Sequence, residues 1–175
     1  MKKKVLFICT HNSTRSQMAE GLLRAFYGDC YEAYSAGTQP SKVNSYAIRV
    51  MVEIGIDISS HQSKNVDVFH GMKFDYVVTV CNQAKEKCPF FRGGDEYLHR
   101  DFDDPSQFKG SVEQKLAVFR QVRDVIKGWI EKTFGGEHKR PMISRIFSRT
   151  RRINYCMSPY GHLAPKWYER SLFIF

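Results

Sequence analysis

The sequence lacks any long hydrophobic run, and this absence excludes several classes of protein. No stretch approaches the ~18 consecutive apolar residues of a membrane-spanning helix. The apolar run between the basic start and Cys9 covers only residues 5–8, which is too short for the apolar core of a signal peptide. We therefore expect a protein that stays in the cytoplasm and does not engage a membrane.

The number of cysteines is odd. The five cysteines are Cys9, Cys30, Cys81, Cys88 and Cys156. An odd count without secretion argues against a fixed disulfide framework, so these thiols are catalytic, metal-binding or incidental. The gap between Cys81 and Cys88 exceeds the usual spacing of zinc ligands, and no further His or Cys pair completes a site. We therefore expect no resident metal of that kind. Cys30 is expected to be a packing residue, and Cys156 an exposed thiol without a role.

Acidic residues are rare toward the C-terminus, so the net charge of +9 is unevenly distributed along the chain. Residues 1–135 carry 19 Lys and Arg against 16 Asp and Glu, whereas residues 136–175 carry 8 against 2. We predict a catalytic domain over 1–135 and a basic, poorly ordered extension over 136–175. The alternative for this extension is a tail that binds anionic lipid or nucleic acid. The nearly balanced charge of the first part predicts no nucleic-acid binding there.

Apolar runs and helical periodicities alternate along residues 1–135. The pattern predicts strands over 4–8, 31–36, 74–80 and 96–99, and helices over 16–27, 45–54 and 111–134. Ser111 and Gln114 form a capping-box pattern at the start of the last helix. Alternating strands and helices predict an α/β fold with a four-stranded parallel sheet between two helical layers.

The segment that joins the first strand to the first helix has the composition of an anion site. Backbone N–H groups and the helix dipole favour an anion there, and Arg15 is able to bind two of its oxygens. Cys9 at the floor of this loop is expected to be a reactive thiolate with a lowered pKa. A structural cysteine at a strand end is the alternative. The other residues expected to line the oxyanion site are small or polar: Thr10, His11, Asn12, Ser13, Thr14 and Ser16.

Two more reactive groups follow strands whose carboxyl ends share the same predicted sheet edge. Cys81 comes directly after the third strand, and Asp104 after the fourth. Asp104 before Pro105 is either a turn starter or a general acid, with Asp101 and Asp103 as competitors for that role. Cys88 follows Cys81 across a polar segment, which favours a redox pair over two core residues.

The chain resembles the thioredoxin-coupled arsenate reductases, which share the low-molecular-weight tyrosine phosphatase fold. The matching stretches are VLFICTHNSTRSQMAEG, YSAG, IDISSH, DYVVTVC with CP seven residues on, FDDP and FRQVRDVIKGWI, over about residues 4 to 133. The resemblance implies that Cys9 attacks arsenate held by Arg15, that Asp104 protonates the departing oxygen, and that Cys81 and Cys88 pass the disulfide on to thioredoxin. It implies no organic cofactor, and we expect a monomer.

Some relatives in that family bind a monovalent cation beside the loop. Asn12, Glu20 and Ser35 match positions used there, but Lys64 stands where those relatives have an acidic residue. We predict that the Lys64 ammonium replaces the ion and pairs with Glu20.

Two other functions remain open. A low-molecular-weight tyrosine phosphatase would use Cys9, Arg15 and Asp104 and would need a single cysteine. That family usually places Tyr just after Asp-Pro, whereas Ser106-Gln107 stands here. A non-enzymatic sensor would bind trivalent arsenic through three thiols and would need neither Arg15 nor Asp104.

Overall fold

The computed structural model describes residues 1–81 and 91–136 in full, and the backbone alone of 155–157 and 163–165. Four parallel strands form one sheet in the order β2-β1-β3-β4. They are β1 (Lys3–Cys9), β2 (Tyr31–Gly37), β3 (Phe74–Thr79) and β4 (Gly94–His99). The helices are α1 (Arg15–Tyr27), α2 (Ser45–Val52) and α3 (Val112–Phe134), with 3₁₀ turns at Val66–Phe69 and Pro105–Gln107. The predicted α/β fold class is confirmed.

The strand register places the functional ends of the strands together. Cys9 pairs with Gly37, Ile8 pairs with Thr79, and Thr79 pairs with His99. All pairs are parallel, so the loops that follow β1, β2, β3 and β4 leave from one edge of the sheet.

The sheet is covered on both faces, as the lack of alternation in β1 predicts. Residues 5–8 of this central strand are fully buried. Neighbouring residues of a strand point to opposite faces. In β2, Ser35 donates to Glu20 of α1, whereas Tyr34 packs edge-on against Phe69 of the first 3₁₀ turn. Helix α1 and this turn therefore lie on opposite faces of the sheet.

Helix α3 packs on the same face of the sheet as α1, and one aromatic residue of α3 makes several of the contacts there. The Phe134 ring is buried and packs edge-on against four other rings, those of Phe7, Tyr31, Tyr76 and Trp129. The capping box predicted at the start of α3 is present, with Ser111 as N-cap and reciprocal bonds to Gln114. This helix therefore begins and ends where its sequence signals place it.

Helix α2 ends two residues earlier than the sequence predicts. The expected helix runs to Ile54, but the last helical residue is Val52. The Ile54 and Ile56 N–H groups both bond to Met51 O, and Gly55 has a φ of 76°. The left-handed glycine turns the chain before another helical turn forms.

The chain divides into two compact units, Met1–His138 and Lys139–Phe175. In the second unit the described backbone forms two short antiparallel strands, β5 (Tyr155–Met157) and β6 (Leu163–Pro165). The predicted poor order of 136–175 otherwise falls outside the described residues, as does Cys88, and both stay predictions. Among the described residues, no helix combines the length and the apolar content needed to cross a bilayer.

Candidate active site

The loop from Cys9 to Arg15, which we call the oxyanion loop, has its outer carbonyl groups tied down. Four carbonyls accept main-chain N–H groups from the segment 38–44 that follows β2, which we call the strap. These bonds run from Thr38 N to Cys9 O (3.3 Å), Gln39 N to Thr10 O (2.8 Å), Ser41 N to His11 O (3.0 Å) and Asn44 N to Ser13 O (2.9 Å). Within residues 9–13, the carbonyl that the strap does not bond is Asn12 O, which accepts from the Gln17 side chain at 3.0 Å.

These tethers determine where the amide N–H groups of the loop point. The peptide bonds of the loop are trans, so each N–H points opposite to the carbonyl of its own peptide group. The N–H groups of residues 10–14 therefore point away from the strap, toward the centre of the loop. The Asn12 N–H shows this direction, since it lies 3.1 Å from Cys9 Sγ. Together with the N-terminus of α1, the inward N–H groups make a cradle for a tetrahedral anion.

Two residues allow the loop to pack this closely. Asn12 has a φ of 47°, in the left-handed region that asparagine tolerates better than most residues. Gly37 at the end of β2 lies directly against the loop. A Cβ at position 37 would lie 2.7 Å from Thr10 O and 2.8 Å from Asn12 N, so only glycine fits there.

The Cys9 sulfur is buried and has two hydrogen-bond donors. One donor is the Asn12 N–H, and the other is the Ser16 hydroxyl at 3.0 Å. Asn12 Nδ2 donates to Ser16 Oγ at 2.9 Å, so the hydroxyl hydrogen of Ser16 is free to point at the sulfur. This direction favours a thiolate at Cys9.

The prediction that the pKa of Cys9 is lowered is wrong. Burial raises the pKa of the Cys9 thiol above its usual value, because a thiolate loses its hydration there. The Ser16 hydroxyl and the Asn12 N–H lower the pKa, but the neighbouring Cys81 raises it again. The sequence identifies the donors correctly and gives no measure of the depth at which the sulfur lies.

Arg15 and Asp104, two of the predicted site residues, form an ion pair. Arg15 Nη2 donates to Asp104 Oδ2 at 2.9 Å, and Arg15 Nη1 donates to Phe102 O at 2.9 Å. Asp104 Oδ1 accepts from the N–H and hydroxyl of Ser106, so Asp104 also caps the 3₁₀ turn. Asp104 is therefore a turn starter, and its position beside Arg15 is compatible with the catalytic interpretation.

Cys81 lies against the oxyanion loop. It is 2% exposed, and its sulfur is 3.5 Å from Thr10 Oγ1. Thr10 directly follows Cys9, and Cys81 acts electrostatically on Cys9. The structure therefore brings two of the predicted thiols together, and Cys9 and Cys81 are both free cysteines.

The remaining predicted loop residues differ in exposure. Asn12, Thr14 and Ser16 are buried, Ser13 is half-buried, and His11 is exposed. Thr14 is the N-cap residue of α1, but its hydroxyl has no partner among the described residues.

A buried polar cluster supports the loop from the α1 side. Ser35 Oγ accepts from Asn12 Nδ2 at 2.8 Å and donates to Glu20 Oε2 at 2.5 Å. Glu20 is only 4% exposed in its side chain and forms an ion pair with Arg24. Lys64 Nζ lies 4.0 Å from Glu20 Oε2, and Lys64 N donates to Asn12 Oδ1 at 2.8 Å. These oxygens are the set that would coordinate a monovalent cation, and two cationic side chains stand beside them.

The site predicted from the sequence does not include the strap, Gln17 or His61. The strap makes its bonds through the backbone, and such bonds leave no mark on residue type. Gln17 is fully buried in α1. The only sign of it in the sequence is a polar glutamine within the helical pattern of α1, which would need hydrogen-bond partners if buried. The His61 ring lies between Gln17 and Arg24.

A family comparison identifies the class of protein that this fold and site define. Residues 4–140 match the model of the low molecular weight phosphotyrosine protein phosphatase family. The match covers most of the chain, so the chain belongs to this family.

Individual relatives show which members of the family this chain is similar to. The chain is 47% identical over 133 residues to an arsenate reductase of Halalkalibacterium halodurans, which covers 76% of this chain and 95% of the relative. A solved arsenate reductase in its phosphate-binding state superposes with a TM-score of 0.66 at 33% identity, covering 77% of this chain and 98% of the other. A thioredoxin-dependent arsenate reductase of Corynebacterium glutamicum superposes with a TM-score of 0.56 at 28% identity, over 77% of this chain and 60% of the other. The resemblance found in the sequence is confirmed.

Removing the Ser16 hydroxyl tests the electrostatics of the thiol. The hydroxyl bond lowers the pKa of Cys9, so Ser16→Ala should raise it further. Alkylation of Cys9 by iodoacetamide, followed by mass spectrometry across pH, should then shift to higher pH. The rate at neutral pH should fall about tenfold, as for the loss of a hydrogen bond to a charged group.

Ser41→Ala, which removes an exposed hydroxyl from the strap, is the matched control. It should leave the pH profile of Cys9 unchanged. An identical profile in Ser16→Ala and the native protein would contradict the assigned direction of the Ser16 hydroxyl.

Proposed function

We propose that this protein is an arsenate reductase, that Cys9, Cys81 and Cys88 form its relay, and that thioredoxin restores it. The observation that carries the proposal is a second thiol, Cys81, against a loop that holds both a nucleophilic sulfur and an oxyanion cradle. The names of the relatives give the substrate. Residues 1–135 would carry the whole catalytic apparatus.

The first step is the attack of the Cys9 thiolate on arsenate. The inward N–H groups of the oxyanion loop and the Arg15 guanidinium hold the oxygens and stabilise the developing negative charge. A sulfur–arsenic bond forms, and one oxygen leaves as water after it takes a proton from Asp104. The ion pair brings Asp104 next to Arg15, the residue proposed to hold the oxyanion, and this proximity supports the role.

The second step transfers two electrons to arsenic. The Cys81 thiolate attacks Cys9 Sγ, a Cys9–Cys81 disulfide forms, and the electron pair of the broken sulfur–arsenic bond leaves with arsenite. Cys88 then attacks Cys81, which frees Cys9 and moves the disulfide to Cys81–Cys88. Thioredoxin, the reductant in the name of one relative, would reduce that disulfide in the cytoplasm.

Phosphatase activity is the second function that the same loop would support. It would use Cys9, Arg15 and Asp104, but it leaves Cys81 without a use. Ser106 and Gln107 follow Asp104-Pro105 and form part of the 3₁₀ turn, so the aromatic wall expected for phosphotyrosine is missing at this point of the described chain. An arsenic sensor would have no use for the Arg15–Asp104 pair.

The relay is tested by NADPH oxidation in the presence of arsenate, thioredoxin and thioredoxin reductase. Cys81→Ser and Cys88→Ser should each abolish arsenate-dependent oxidation, because each interrupts the transfer of the disulfide. Cys30→Ser is the matched control, since Cys30 is a free cysteine outside the proposed relay, and it should retain native turnover. Full turnover in both relay variants would show that the relay is wrong.

We also propose that the Lys64 ammonium takes the place of a monovalent cation. Glu20 is already balanced by Lys64 and Arg24, so a further cation would gain little there. Replacing tetramethylammonium chloride with potassium chloride at constant ionic strength should change the rate of arsenate reduction little. Lys64→Met, which removes one of the two charges, should respond to potassium more strongly. A strong potassium requirement in the native protein would reject the proposal.

A further inference from the structure

We propose that Gln17 is a positioning residue for the oxyanion loop and that His61 holds Gln17 in place. This inference rests on the proposed oxyanion site. Four of the carbonyls of residues 9–13 are held by main-chain N–H groups of the strap. The strap supplies no main-chain bond to Asn12 O, and the Gln17 side chain takes its place at 3.0 Å.

The Gln17 amide is bonded at every polar atom and is fully buried. Its two Nε2 hydrogens are shared among three acceptors, Asn12 O at 3.0 Å, Asn12 Oδ1 at 3.1 Å and Gln62 O at 3.1 Å. Its Oε1 lies 3.0 Å from His61 Nδ1. Gln17 does not reach the Cys9 sulfur, so it acts on the reaction only through Asn12.

His61 fixes which way the Gln17 amide faces. Arg24 Nη1 lies 3.2 Å from His61 Nε2, and a guanidinium only donates, so Nε2 must accept. The hydrogen of the neutral ring is then on Nδ1, where it donates to Gln17 Oε1. Partial burial, Arg24 and Lys64 lower the pKa of His61, and this outweighs the opposite effect of Glu20. The ring therefore keeps this role at neutral pH.

The direction of one peptide group depends on this arrangement. Gln17 holds Asn12 O on the outside of the loop, so the Ser13 N–H of the same peptide points inward. Asn12 is in the left-handed region, where the backbone is held by its surroundings and not by its own preference. Without Gln17 this peptide is free to rotate, and the loop loses one donor to the anion.

Phosphate binding tests the proposal, with protection of Cys9 from iodoacetamide as the readout. Gln17→Met keeps the length of the side chain and removes its donor, so phosphate affinity should fall about tenfold. The pH profile of Cys9 alkylation without phosphate should also shift upward, because the loosened peptide group adjoins the Asn12 N–H, which lowers the pKa of Cys9. A purely structural role in α1 would lower the unfolding free energy and leave both readouts unchanged.

His61 gives a second test that does not disturb the buried glutamine. His61→Asn keeps a donor at the position of Nδ1, whereas His61→Leu removes it. Phosphate affinity should therefore be near native in His61→Asn and several-fold weaker in His61→Leu. Gln62→Ala is the control, since Gln62 contributes its main-chain carbonyl and its side chain is exposed.

Native phosphate affinity in Gln17→Met, or equal affinities in the two His61 variants, would overturn the inference. If Gln17→Met does not fold, the His61 pair alone decides. Failure of the proposed function looks different, because the native protein would then bind phosphate and reduce no arsenate, whatever the variants do.

Discussion

The structure of the site depends on one constraint, which is that the carbonyl groups of the oxyanion loop are held on its outer side. Each tether is an ordinary hydrogen bond, and together they leave the loop N–H groups only one direction in which to point. The parallel register of β1 and β2 brings the strap to the loop, and Gly37 allows the two backbones to approach. The sheet thus preorganises a cradle whose donors do not have to reorganise when charge develops.

Two opposing effects determine the pKa of the buried Cys9 thiol. Burial protects the sulfur from water and raises its pKa, whereas the Ser16 and Asn12 donors lower it. The same enclosure places Cys81 against the loop, with its sulfur 3.5 Å from Thr10 Oγ1. A surface thiol would ionise more easily and would lack this neighbour.

The sequence predicts the parts of this structure that depend on side-chain type. Alternating apolar runs give the four strands and three helices, and Ser111 with Gln114 marks the start of α3. Cys9, Cys81 and Asp104 are predicted to share a sheet edge because each follows a strand. The strap bonds are made by backbone atoms, so nothing in Thr38–Asn44 indicates them. The role of Gln17 and the pKa of Cys9 depend on burial, which periodicity alone does not measure.

The central claim is that Cys9 and Cys81 together supply the two electrons that reduce arsenic, and are joined in a disulfide as a result. Its most direct test is a single turnover of fully reduced Cys88→Ser with arsenate and no external thiol, followed by arsenite quantification and disulfide mapping of the peptides. The account predicts one arsenite per protein chain and a trapped disulfide between Cys9 and Cys81, since the next step is blocked. Arsenite release without that disulfide, or a disulfide that joins Cys9 to Cys30, would contradict it.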